Sequence, residues 1–147
     1  MPVLTFSKSQ LGPIVDVLIA PGREAAQRLP ATGGTAPPLP QPIKMLVDTG
    51  AETSALDEAL IEPWGIPYVR AGWARTMNGT KPVRMYELAL SIRGQAGQPS
   101  WNVDSLVVTA RQEPFVGAPY AGLIGRDLLD RAVFLFNGPG HQCTLAF

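Results

Sequence analysis

Met45-Leu46-Val47-Asp48-Thr49-Gly50-Ala51 decides how this chain is read. A short apolar run bounded by turn residues reads as a buried strand, and Ile43 to Val47 is such a run. It leads directly into a carboxylate, a hydroxyl and a glycine. A three-residue string such as Asp-Thr-Gly recurs by chance, so its weight comes from its surroundings. Far downstream stands Leu123-Ile124-Gly125-Arg126-Asp127-Leu128-Leu129, a second apolar run ending in a glycine, with a short helix predicted from Arg126 to Arg131.

Outward from these two stretches the chain reads as mainly β. Its 147 residues suit one domain, 1–147, and 46% apolar content gives it enough to build a core. Gly and Pro number 15 each, and short apolar runs alternate with turn residues. Strands are predicted at Val3–Phe6, Ile14–Ile19, Tyr68–Thr76, Pro82–Ile92, Val103–Thr109, Ala132–Phe136 and Cys143–Phe147. Met77-Asn78-Gly79-Thr80 carries the Asn-Gly signal of a tight hairpin between two of them. Ala55 to Glu62 consists of good helix formers, with Thr53 or Ser54 as N-cap and Pro63 and Gly65 to close it. The Ala/Gly/Pro/Thr-rich stretch from Pro21 to Pro42 reads as a long loop insertion, with no regular element expected from Leu29 to Pro38.

Composition excludes several classes of function. Twelve basic residues balance twelve acidic ones, so charge gives no reason to expect nucleic acid or an anionic membrane as partner. One cysteine, Cys143, forms no intrachain disulfide, and one Cys with one His supplies no zinc set. No metal or other cofactor is expected. No apolar run approaches the ~20 residues of a membrane helix, and no leader is read at the N-terminus, so a cytoplasmic protein is expected.

The pair apolar-apolar-Asp48-Thr49-Gly50-Ala51 and apolar-apolar-Gly125-Arg126-Asp127-Leu128-Leu129 resembles the retropepsin family of aspartic peptidases. Pro2–Phe6 and Cys143–Phe147 are similar to the family's terminal strands, and Val83–Ile92 to the strand that leaves its flap. The resemblance implies an all-β, retropepsin-like acid protease fold: a closed, barrel-like β-domain with one or two short helices, one lobe per chain. It also implies peptide-bond hydrolysis. Such chemistry, without metal or covalent nucleophile, needs one carboxylate to activate water and one carboxylic acid to protonate the carbonyl oxygen. Two aspartates held close share one proton, because both cannot ionise at that distance. The chain carries one such motif, so the second aspartate would come from a second copy, and two-fold dimers are the commonest symmetric assembly. A homodimer built partly from the terminal strands and acting on a peptide or protein substrate is therefore expected.

Within that expectation Asp48, Thr49 and Gly50 are the catalytic set. Gly50 allows a tight turn, and the resemblance implies that Thr49 hydrogen-bonds across the dimer axis. Ala51, Glu52, Trp73, Met77, Asn78, Gly79 and Thr80 are candidates for substrate contact, the last four as the tip of a flap. Trp73 suits either substrate contact or packing beneath the flap. Gly125, Arg126 and Asp127 are structural support, with an Arg126–Glu52 ion pair and Asp127 as a helix cap. Two readings of other classes compete: a catalytically silent retropepsin-like dimerisation or peptide-binding module, and a small β-barrel binding module in which the paired motifs are coincidence.

Overall fold

A computed structural model of the chain describes residues 1–29, 38–112 and 115–147. Ten strands and two short helices follow one another: β1 (Val3–Ser7), β2 (Ile14–Pro21), α1 (Arg23–Arg28), β3 (Gln41–Val47), β4 (Ala55–Asp57), β5 (Arg70–Thr76), β6 (Gly79–Ile92), β7 (Trp101–Arg111), β8 (Gly122–Ile124), α2 (Arg126–Leu129), β9 (Val133–Asn137) and β10 (Gln142–Ala146). Six strands, in the order β2-β3-β8-β4-β7-β6, close on themselves through the β2–β6 pairing. The fold is thus all-β and barrel-like. β5 extends from β6 as a hairpin, and β1-β10-β9 form a second sheet.

Alternation of side chains explains the barrel. Val15, Val17 and Ile19 of β2, Ile43, Met45 and Val47 of β3, Leu88, Leu90 and Ile92 of β6, and Leu106, Val108 and Ala110 of β7 all point inward and are buried. β10 adds Cys143 and Leu145, both essentially without exposure. Leu4, Phe6, Phe134 and Phe147 lie against the same core.

The β3–β8–β4 arrangement positions the site. β8 runs parallel to β3 and antiparallel to β4, inserted between them. The chain therefore leaves β3 at Val47, bridges over β8 and returns as β4. One cross-sheet row runs through Leu46, Leu123, Ala55, Thr109 and Met85, so these residues share a face.

Three sequence expectations are corrected. Ala55–Glu62 is not a helix. Ala55 and Leu56 are buried in a strand paired on both sides, with β7 and β8, and this packing overrides local helix propensity. Only two 3₁₀ turns follow, Glu58–Leu60 and Glu62–Trp64, the first capped by Asp57, which accepts from Ala59 N–H. The Pro21–Pro42 stretch is not all loop either: it opens with α1, which docks on β6 through Ala25, and β3 begins at Gln41. Glu87 holds α1, its side chain accepting from Ala25 N–H and its carbonyl from Gly22 N–H. The expectation for Leu29–Pro38 falls largely outside the described residues. In the hairpin, the central pair is Met77-Asn78, and only Gly79 takes positive φ (99°). No described helix is long and apolar enough to cross a membrane.

Candidate active site

Asp48 sits one residue past the end of β3, half-buried, with Thr49 and Gly50 exposed beside it. Its N–H donates to the Ile124 carbonyl, continuing the β3–β8 ladder by one bond. Its carboxylate oxygen Oδ1 accepts from Gly50 N–H at 2.9 Å, and its carbonyl accepts from Ala51 N–H. The bond from Ala51 closes a tight turn from Asp48 to Ala51 with Gly50 inside it, as expected, although Gly50 does not take a left-handed conformation. What it provides is room, since a Cβ there would stand 3.1 Å from the Asp48 oxygen. By strand parity Asp48 faces the same side as Leu46, and hence the same side as Thr109 and Met85.

The Gly125-Arg126-Asp127 stretch lies directly under this loop. Arg126 N–H donates to the Ala51 carbonyl and Asp127 N–H to that of Glu52. The Arg126 guanidinium donates to the Thr49 carbonyl at 3.2 Å. The expected Arg126–Glu52 ion pair is not formed; both side chains are exposed, and Arg126 binds loop backbone instead. Asp127 is not the helix cap, a position taken by Gly125. Its carboxylate reaches across the chain to Ser54, accepting from Ser54 Oγ at 2.7 Å and from Ser54 N–H at 2.9 Å, and also accepts from Leu128 N–H.

Ser54, fully buried, completes this knot. Its Oγ donates to Asp127 and accepts from Gly125 N–H at 3.0 Å. Gly125 passes so close that a Cβ would meet Thr53 C at 2.5 Å and Ser54 N at 2.7 Å, backbone atoms that cannot swing aside. Thr53 Oγ1 lies 3.2 Å from Thr109 Oγ1, tying the loop to β7. Both motifs are therefore one hydrogen-bonded body.

The hairpin residues Met77, Asn78, Gly79 and Thr80 are all exposed, at the far end of β5–β6. Trp73 pairs with Pro82 and is 72% exposed. It lies on the face opposite Val83, so it does not pack beneath the hairpin. The hairpin's base is anchored by a group that sequence reading did not single out. Glu58, 2% exposed, accepts from Tyr86 Oη at 2.9 Å and from Arg84 at 3.1 Å. Arg84 also lies over the Tyr68 ring, and Tyr68 meets Tyr86 edge-on. The paired Glu58 raises the Arg84 guanidinium's already high value, and burial pushes the Tyr86 phenol up. One carboxylate thus ties the hairpin's exit strand to the turn after β4, and the Tyr68 ring at the entry joins through Arg84 and Tyr86. Among the described residues no group of three or more His, Cys, Asp or Glu side chains is placed to hold a metal ion.

Comparison with known proteins agrees with this geometry. The family model described as gag-polyprotein putative aspartyl protease matches residues 40–131, which contain both motifs. Among solved structures, a retropepsin-like aspartic protease from Rickettsia conorii superposes with a TM-score of 0.57, covering 99% of this chain and 90% of that one at 16% identity. No curated protein sequence matches.

Proposed function

Because the chain belongs to the gag-polyprotein putative aspartyl protease family, we propose that it is an aspartic endopeptidase in which a water between Asp48 and its copy in a two-fold homodimer attacks a peptide carbonyl. The supporting observation is the Asp48 loop: the carboxylate is fixed by Gly50 N–H, and the exposed edge of the loop is free to meet a second copy. One ionised Asp48 takes a proton from water as its oxygen bonds to the carbonyl carbon. The other, protonated, gives its proton to the carbonyl oxygen. The tetrahedral species then breaks its C–N bond as the nitrogen receives the proton that the first Asp48 took from water, and the second Asp48 takes back the hydroxyl proton, which restores the pair. Thr49 and Gly50 support the pair. Ala51, Glu52 and the hairpin tip Met77–Thr80, acting as a flap, border the substrate, which lies extended and is held by backbone hydrogen bonds.

The terminal strands bear on how copies meet. β10 has β1 on one side and β9 on the other, within the same chain. The far side of β1 is engaged at Val3, which accepts from Gln95 N–H and donates to the Gln98 side chain. Among the described residues β9 keeps an open edge and exposes Val133, Leu135 and Phe136, so in this reading the second copy extends the sheet along β9 rather than along the terminal strands first expected.

Asp48→Asn is the test. It should abolish hydrolysis of a peptide library while sedimentation still shows a dimer. In the wild type, kcat/KM should fall at both ends of the acidic range, because one carboxylate must be charged and one neutral. Hydrolysis that survives Asp48→Asn would end the reading. A dimer that binds peptides and cuts none would leave the chain a binding module.

A further inference from the structure

We propose that the cleft between β1 and the outer face of β2 is a binding site for an amphipathic monocarboxylate, a fatty acid whose alkyl chain lies in the cleft and whose carboxylate meets Arg93. The inference stands apart from the peptidase reading, since neither Asp48 nor its loop lines the cleft.

Strand parity makes the floor of this cleft. Val15, Val17 and Ile19 fill the barrel, which turns Ile14, Asp16 and Leu18 of β2 outward. A strand with one face in water ordinarily puts polar side chains there, yet β2 keeps Ile14 and Leu18 on its outer side. Leu4 and Phe6 of β1 form the wall, and Pro42 extends the floor onto β3. The cleft has a volume of about 450 Å³, the size of an ordinary small-molecule site. Leu18 stays 38% exposed, so the described side chains do not close it.

Charge selects the head group. The β2–β3 register sets Asp16 beside Lys44, and the β2–β6 register, with Val17 opposite Ile92, brings Arg93 to the other flank of Asp16. Asp16 is the one acid lining the cleft, and Lys44 holds its carboxylate at 2.8 Å on the β3 side. Arg93, on the β6 side, makes no hydrogen bond or ion pair among the described residues. The row of Lys44, Asp16 and Arg93 therefore carries one net positive charge, and its unpaired cation borders the cleft. A guanidinium presents a fork that fits a carboxylate, and the apolar walls beside it favour an alkyl chain. A peptide would also need partners for its backbone N–H and C=O groups. Most of those on the floor are spent in the ladders of β2 with β3 and β6, which favours the lipid.

Titration calorimetry of the full chain with hexanoate, octanoate and decanoate, and with 1-octanol, tests the site. Affinity should rise roughly tenfold for each two carbons added. Octanol should bind several-fold more weakly than octanoate, with the difference shrinking at high salt. Arg93→Gln should bring octanoate to the level of octanol and leave octanol unchanged. Leu18→Glu, at a position already part-exposed, should weaken both. Asp48→Asn should bind all four ligands as the wild type does, whether or not the chain cuts peptides. No binding of decanoate, equal affinity for octanoate and octanol, or an octanoate affinity unmoved by Arg93→Gln or by Leu18→Glu would overturn the site. Loss of binding in Asp48→Asn would move the ligand to the Asp48 loop and overturn it too. Tighter binding of an apolar peptide with a free C-terminal carboxylate than of decanoate would make the cleft a peptide groove and refute the lipid.

Discussion

Ser54→Ala removes a single oxygen, and from its position in the structure that oxygen holds the two motifs together. The oxygen donates to Asp127 at 2.7 Å and accepts from Gly125 N–H at 3.0 Å, in a residue with no exposure. A hydrogen bond to a charged group contributes about 1.5–3 kcal/mol, and a buried N–H left without an acceptor costs about 1–3 kcal/mol. Asp127 is only half-buried and keeps Ser54 N–H and Leu128 N–H, so the lower parts of both ranges apply. The expected loss is about 3 kcal/mol, or roughly 10 °C in Tm for a chain of this size. The substitution introduces no clash and exposes no new surface, so urea titrations should show a lower midpoint with an unchanged slope. Protein concentration must be matched, since association shifts apparent stability. In an Asp127→Ala background the same substitution should cost at least about 1 kcal/mol less, because one of its two bonds is already gone. A loss under about 1 kcal/mol, or full additivity with Asp127→Ala, would refute the claim that Ser54 couples the motifs.

Glu58→Ala should destabilise by about 2 kcal/mol, since Tyr86 Oη loses its partner in the interior, while the half-exposed Arg84 recovers water. Amide exchange should quicken at the hairpin base, where Val69 N–H bonds Met85, and unchanged protection there would count against the anchoring role. Burial pushes the Cys143 thiol above its ordinary value, so ionisation favours the unfolded chain. Its contribution should be complete below that ordinary value and lost as pH rises through the higher folded one. Cys143→Ala should flatten the alkaline decline in Tm, and rapid stoichiometric thiol labelling of the native protein at neutral pH would contradict the burial.

Legibility from sequence followed the range of the interactions. Asp48, Gly125 and most strands were readable because strand burial leaves a local alternating signature, as in Ile14–Ile19 and Ile43–Val47. The hairpin was readable because only glycine sits easily at the positive φ of Gly79, although its central pair lay one residue earlier than the Asn-Gly signal suggested. Ala55–Glu62 misled because Ala, Leu and Glu favour helix unless tertiary pairing intervenes, and here β7 and β8 claim both edges of β4. Glu58 lies within that stretch and was not singled out. Its partners lie 26 and 28 residues on, and nothing local marks them. Ser54 was one of two cap candidates, with Thr53, when its true partner, Asp127, is 73 residues away.

The insertion of β8 between β3 and β4 explains why the two motifs accompany each other. A third strand entering there must leave its ladder beneath the Asp48 loop, where the loop backbone comes within 2.7 Å of any Cβ at position 125. Glycine answers that crowding, and its buried N–H then requires an acceptor, which Ser54 provides from the loop side. Asp127 binds Ser54 in turn, and Arg126 secures the Thr49 carbonyl, so that Gly125, Arg126 and Asp127 each bond to a specific part of the loop that follows Asp48. Asp48 is held in place by bonds to Ile124 and Gly50, one from each motif. A chain with Asp-Thr-Gly and no glycine-led helix to follow would lack the floor of this loop, and its carboxylate would have no fixed direction.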